Sequence, residues 1–395
     1  MQPIDVILLL LALLGHAALW VGMMNRLHSV GLRRKMVNWV TIFGLAMLPL
    51  VPLAVVGTVF GLDMRWHISR LPKAGPWWPL LYVVPCWGLG LAVSIRWLLR
   101  KLSAHPSGVL LTDRSHEVNI AARLGYRPVH GLVGRGLGLV PGEQCLVARL
   151  HEKTLELPRL PDALDGLRIL HLSDFHFTGR IQPAYFEEVV RLANETPADL
   201  IALTGDFVDK TECIDWIPAT IGKLSARHGV YFVLGNHDRK VVDIDRLRHV
   251  LVDCGFVDLG GRWQTLEIAG RTVVLAGNEM PWHGPLPDLS ACPGNEGDDW
   301  PLRILLAHTP DQWPWAVRND FDLMLAGHTH GGQVCLPLIG PIFCPSNAGV
   351  EMASGVFYKL PTVIHVTRGL SGEFPLRWNC PPEVANLILR APRQR

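Results

Sequence analysis

Charge is scarce at the start of this chain. Of its 395 residues, 37 are Lys or Arg and 35 are Asp or Glu, yet residues 1–100 carry only 11 of those 72. Charged residues make up 18% of the whole, against about 25% in an ordinary soluble protein, and 49% of the residues are hydrophobic. The deficit argues against a purely soluble chain, and the apolar content excludes disorder. No Lys/Arg-rich stripe accompanies the net charge of +2, so nucleic acid is not an expected partner. Cysteine lacks pattern: eight are scattered with no C-x-x-C pair, which excludes zinc-ribbon spacing and a secreted disulfide framework. One pairing stays open, Cys335 with Cys344 across a hairpin.

In place of charge, the first hundred residues hold apolar runs. Residues 6–24, 39–62 and 77–95 contain no charged side chain. Each is long enough to cross a hydrocarbon core of about 30 Å as a helix. The first run has no basic segment before it and no small-residue cleavage site after it, so it reads as an anchor. Trp20, Trp39, Trp77, Trp78 and Trp97 stand near the ends of the runs, where indole rings favour the membrane interface. Pro49, Pro52 and Pro85 lie inside them, tolerable in a membrane bundle. His16 is expected to make an interhelical hydrogen bond. Arg26, Arg33, Arg34 and Lys35 follow the first run, Arg65, Arg70 and Lys73 the second, and Arg96, Arg100, Lys101 and Arg114 the third. Placing the first loop and the C-terminal part in the cytoplasm puts more positive charge inside. The organisation expected is therefore a multi-pass membrane region of about three helices over 1–102, a connector over 103–145 with a short helix at 115–124, and a soluble domain over 146–395.

From residue 145 the pattern changes to β-prone runs alternating with helical spacing. Strands are expected at 145–157, 166–172, 199–203, 229–234, 273–276, 303–306 and 323–325, and helices at 183–194, 216–224 and 244–254. Five of the strands run into polar clusters: Asp174-Phe175-His176, Gly205-Asp206, Gly235-Asn236-His237-Asp238, His308, and Gly327-His328-Thr329-His330. In α/β sheets ligands bind beyond the carboxyl ends of strands, so these clusters converge. Carboxylates, imidazoles and one carboxamide without a thiolate suit Mn, Fe or Zn. The set is too large for one ion. Two divalent ions sharing a carboxylate hydrolyse phosphoesters through a metal-activated water, with a free imidazole at the leaving oxygen. How the ligands divide between two ions stays open at this level.

These five blocks, in this order, resemble the calcineurin-like metallophosphoesterase superfamily. Gly327-His-Thr-His-Gly-Gly-Gln333, Val366-Thr-Arg-Gly369 and Leu376-Arg-Trp-Asn-Cys-Pro-Pro-Glu383 are similar to its membrane-associated YkuE/YaeI-type branch, which includes a UDP-2,3-diacylglucosamine pyrophosphatase. The chain departs from the branch at Gly277-Asn278-Glu279, where an acidic pair is common. The resemblance implies an α/β fold, a four-layer α/β/β/α sandwich. Its second sheet would draw on 333–336, 355–359, 362–367 and 385–389. It implies that Asp174, His176 and His330 bind one divalent metal, Asn236, His308 and His328 the other, and that Asp206 bridges. It implies His237 as acid or leaving-group partner with Asp238 orienting it, and Arg368, Arg377 and Glu373 at the site mouth. The expected activity is hydrolysis of a phosphodiester or pyrophosphate, with a lipid-linked substrate suggested by the apolar runs. A non-catalytic receptor or scaffold would be expected to have lost ligands, and none of the seven is missing. A transporter would need more intramembrane polar groups than these runs offer.

Overall fold

In the computed structural model, residues 3–32, 34–60, 79–102, 108–294 and 300–392 are described. Arg33, Arg65, Arg70, Lys73, Trp77 and Trp78 lie outside them. The chain forms two compact units, Met1–His105 and Pro106–Arg395.

The first unit is helical because nothing in its apolar runs offers the backbone another partner. Helices α1 (Pro3–Ser29), α2 (Arg34–Phe60) and α3 (Leu80–Leu102) are all long and apolar enough to cross a membrane. Gly15 and Gly90 let α1 and α3 meet backbone to backbone: a Cβ at Gly15 would lie 1.8 Å from the Cys86 carbonyl oxygen. His16 ties the three helices. Pro52 has no N–H to give the Leu48 carbonyl four residues back. His16 Nε2 donates there instead, at 3.0 Å. Its Nδ1 then accepts from the Tyr82 hydroxyl at 2.7 Å, and Trp20 Nε1 donates to the same oxygen at 3.1 Å. The interhelical role expected of His16 is the one it has.

The second unit opens earlier than its motifs. Residues 115–124 were expected as a helix within a connector. They divide between strand β1 (Leu110–Asn119) and a one-turn helix α4 (Ile120–Leu124) capped by Asn119 Oδ1, followed by α5 (Gly131–Leu137). Strand β1 pairs antiparallel with β2 (Val147–Glu156), which is why it is a strand: its own burial is slight, and the ladder supplies the hydrogen bonds. Then come β3 (Arg168–Leu172), α6 (Pro183–Glu195), β4 (Leu200–Thr204), β5 (Val230–Val233), α7 (Ile244–Asp253), β6 (Val257–Asp258), β7 (Trp263–Ile268), β8 (Arg271–Asn278), β9 (Leu302–Ala307), α8 (Trp313–Arg318) and β10 (Leu323–Ala326). The chain ends with β11 (Cys335–Leu336), β12 (Gly340–Pro341), β13 (Gly355–Lys359), β14 (Thr362–Val366) and β15 (Glu383–Arg390). The helix expected at 216–224 is replaced by short 3₁₀ turns, Thr211–Trp216 and Ile221–Lys223, because Pro218 cannot sit in a helix interior.

Two sheets face each other. The first has order β1-β2-β15-β3-β4-β5-β6, the second β13-β14-β10-β9-β8-β7, and β11-β12 form a separate ribbon. Ile169, Ala202, Val233, Leu275, Ile304, Leu325 and Leu387 fill the space between the sheets. Tyr185, Phe186 and Leu247 of α6 and α7 cover the outside of the first sheet. Ala316 of α8 packs on the second. The layers are α/β/β/α, as expected. Two placements are corrections: β11 pairs with β12 in the ribbon and does not join the second sheet, and β15 lies between β2 and β3 in the first sheet, parallel to one and antiparallel to the other. Alternation along a strand tells which face is buried but not which neighbour it pairs with. Strands β3, β4, β5, β8, β9, β10 and β14 run parallel within their sheets, so their carboxyl ends gather at one end of the sandwich. Among the described residues all eight cysteines are free thiols, so Cys335 and Cys344 form no disulfide.

Candidate metal centre

The loops leaving these strand ends are bent sharply. Among the described residues ten non-glycine ones have positive φ, and five of them are expected ligands: Asp174 at 54°, His176 at 46°, Asp206 at 57°, His328 at 70° and His330 at 52°. Left-handed backbone is costly for such residues, and its concentration here marks a functional site. Close approach at the same place requires glycine. A Cβ on Gly235 would lie 2.3 Å from Asp206 Oδ1, and one on Gly327 2.4 Å from Asp174 Oδ2.

All seven expected ligands converge. Asp174, His176, Asp206 and His330 offer ligand atoms within 4.8 Å of one another, as do Asp206, His308 and His328, and Asp206 belongs to both groups. Asn236 Oδ1 joins the second group, 3.0 Å from His308 Nε2. Except for Asn236 and His330, these side chains are buried.

The donor set fits cations. His176 Nδ1 donates to Asp209 Oδ2 at 2.7 Å, and His330 Nδ1 donates to the Ser371 carbonyl at 3.1 Å. Their Nε2 atoms face each other, 3.2 Å apart. Asp206 Oδ2 is buried without a hydrogen bond, 3.4 Å from His176 Nε2 and 3.3 Å from His308 Nε2. Ligands at about 2.0–2.2 Å from one ion sit about 3.0–3.5 Å apart, so a cation reconciles these contacts. His308 Nδ1 donates to the Thr204 carbonyl at 2.6 Å, turning its Nε2 toward the same space.

The electrostatics agree. Burial opposes ionisation of Asp206, but His308, His237 and His176 outweigh it and hold the carboxyl well below its usual range. Burial, with His176 and Arg377 beside it, keeps His330 neutral, far below the usual imidazole value.

Asp209 was not among the expected residues. It lies three positions beyond Asp206, and its oxygens divide between two rings: Oδ2 takes His176 Nδ1–H, and Oδ1 takes His237 Nδ1–H at 2.6 Å. Burial would raise Asp209, but His176 and His237 hold it far below the usual carboxylate range, so it stays an acceptor. Lys240 binds Asp209 and also Glu373, at 3.3 Å, joining the centre to its mouth. A carboxylate behind each imidazole fixes tautomer and direction. Asp209→Ala should therefore weaken metal affinity or turnover about 10–100-fold, read by metal titration beside steady-state rates. A change under about threefold would deny it this role.

Two expectations are corrected. Asp238 does not orient His237: it is fully buried and accepts the backbone N–H groups of Gly235, Asp206, Phe207 and Val208. Four N–H donors converge on it because the β4 and β5 loops turn around it, whereas His237 leans away on Asp209. Arg377 does not line the mouth. It is 1% exposed and donates to the carbonyls of His330, Arg368 and Ser371, bracing the His330 loop from beneath. Arg368 is half-buried, and its backbone N–H bonds to Glu383 Oε2. At the departure Gly277-Asn278-Glu279, Glu279 accepts from the Leu234 N–H and Arg248, supporting the Asn236 loop. Trp282 lies against the second ligand group, 4.7 Å from the His328 ring and 5.5 Å from that of His308.

The profile of the family described as calcineurin-like phosphoesterase matches residues 167–332, and the chain belongs to that family. It is 31% identical over 252 residues to the uncharacterized metallophosphoesterase YkuE of Bacillus subtilis, covering 61% of this chain and 85% of that protein. It is 30% identical over 226 residues to phosphodiesterase YaeI of Escherichia coli, covering 56% and 82%. A transmembrane protein with metallophosphoesterase domain from Danio rerio is 29% identical over 259 residues, covering 60% of this chain and 56% of its own length.

Proposed function

We propose that this chain is a membrane-anchored phosphoesterase that holds two divalent cations and hydrolyses a phosphodiester or pyrophosphate bond, with a lipid-linked substrate. The observation that carries the reading is Asp206, common to two groups of candidate ligands, with its buried Oδ2 beside His176 and His308 and without a hydrogen bond. Asp174, His176 and His330 would hold one ion, Asn236, His308 and His328 the other, and Asp206 would be shared between them. Divalent cations there lower the pKa of water and neutralise charge on the phosphoryl oxygens. His237, part-exposed and held by Asp209, is the imidazole that can protonate a leaving oxygen. Arg368 supplies positive charge near the mouth, and Trp282 a wall beside His308 and His328. The three apolar helices support the membrane anchor and a substrate presented there. The Lys and Arg residues after the first and third helices support a cytoplasmic hydrolase unit.

The test is bound-metal analysis of the intact protein in mild detergent, joined to assays of a monoester, a diester and a lipid-linked pyrophosphate with added Mn²⁺. About two ions per chain with hydrolysis of the diester or pyrophosphate is the expected result. Folded protein that neither binds metal nor hydrolyses any of the three would overturn it.

A further inference from the structure

The mouth of the metal centre is flanked by apolar side chains that the fold does not bury. Leu132 and Leu139, in and just after α5, are 89% and 83% exposed, and Leu338 and Ile339, at the tip of the β11–β12 ribbon, are 79% and 59% exposed. Phe374 is 50% exposed. Single exposed leucines need no explanation, but a cluster on two neighbouring loops does.

Both loops are fastened to one segment, and that segment holds the centre. Gln144 N–H bonds to the Arg377 carbonyl, and Cys335 N–H to the Trp378 carbonyl at 2.9 Å. Glu143 and Val334 both bridge to Trp378. Arg377 in turn grips the His330 carbonyl, and Pro341 packs on Gly332. The exposed apolar tips are thus a rigid rim around the His330 side of the site.

Charge on the two tips is sparse: Arg127 is paired with Glu143 at 2.9 Å, Arg135 is the charged residue within 128–142, and residues 334–343 contain none. Leucine and valine interleaved with arginine suit the boundary between anionic headgroups and acyl chains, where the apolar parts insert and the cation stays at the phosphates. The chain supplies the surface: eight peptide bonds separate Leu102, the last residue of α3, from Leu110 of β1. We infer that this rim docks on the lipid bilayer, with the two loops inserted into the headgroup region, so that the metal centre opens onto membrane-held substrate. The inference rests on the reading of α1–α3 as membrane spans, and not on which ester is hydrolysed.

The test uses the full chain in phosphatidylcholine–phosphatidylglycerol vesicles with photo-reactive benzoylphenylalanine placed singly at Leu132, Leu139 or Leu338. Leu10, within α1, is the positive position. Leu360, exposed in the β13–β14 turn at the opposite end of the sheet, is the negative one. The expected result is a mass increase of one phospholipid at Leu10 and at the rim positions, and none at Leu360. Lipid adducts at Leu10 but none at the rim would overturn the proposal while leaving the membrane anchor intact. Adducts to a second copy of the chain at the rim would overturn it in favour of a protein interface. No adduct at Leu10 would remove the membrane reading, and the proposal with it.

Discussion

Asp206→Asn is expected to reduce bound metal from two ions to one or fewer and to lower turnover by about 10³-fold or more, since removing even one group that stabilises developing charge costs about 10²–10³-fold. The size follows from position. Oδ2 lies 3.4 Å from His176 Nε2 of one ligand group and 3.3 Å from His308 Nε2 of the other, and an amide in its place supplies a neutral atom where two cations would need a charge. The fold should tolerate the change, because Asn keeps an oxygen to accept the His237 N–H that Asp206 Oδ1 now holds at 2.7 Å. Metal stoichiometry, circular dichroism and hydrolysis of a small diester measured on the same preparation decide it. Two ions retained with full activity would show that Asp206 bridges nothing.

Glu383→Gln is expected to destabilise the hydrolase unit by about 3–5 kcal/mol, the cost of leaving a buried charge without its partner. Lys153 and Glu383 are ion-paired in the core, both almost wholly buried. Lys153 Nζ also meets His365 Nε2 at 3.0 Å. The chain continues through His365 Nδ1 to His171 Nδ1 at 2.8 Å, and from His171 Nε2 to Thr204 Oγ1 at 2.9 Å. Removing both charges together in Lys153→Met/Glu383→Gln should cost less than the sum of the single changes, measured by thermal unfolding. Additive losses would show that the pair is not coupled.

The same network sets an acid limit. Burial drives His171 down to about 3, and burial with Lys153 and His171 beside it drives His365 well below its ordinary value. Both rings are neutral when folded but take up protons when unfolded below about pH 6.5. Stability is therefore lost as pH falls below that point, by about 1.4 kcal/mol per pH unit for each ring. Burial would raise Glu383, but Lys153, His365 and His151 hold it well below its usual range. Its contribution is present above about pH 4.3 and is lost only in stronger acid, so between those limits it does not offset the loss from the two rings. Unfolding midpoints of the metal-free full chain at pH 7.5 and 5.5 check this. His171→Gln should flatten the difference, and an unchanged slope would refute it.

The sequence alone determined the apolar helices, the alternating strands and the seven positions that converge at their ends, because each is a local matter. A span is legible from its own composition, and a strand that ends in Asp, His or Asn carries its ligand within a few residues. It also determined that His16 would be bonded between helices. Tertiary structure alone decided what depends on distant partners. Residues 110–119 became a strand because residues 147–155 offered a ladder. β15 joined the first sheet because β2 and β3 left it a place. Asp209, three residues from Asp206, became the support of His176 and His237, whereas Asp238, beside His237, turned inward to four backbone N–H groups. Arg377 looked like a cation for a phosphate, but three carbonyls around it made it a brace. In each case the residue's chemistry was visible in the chain, and which atoms would satisfy it depended on where the sheets brought other strands.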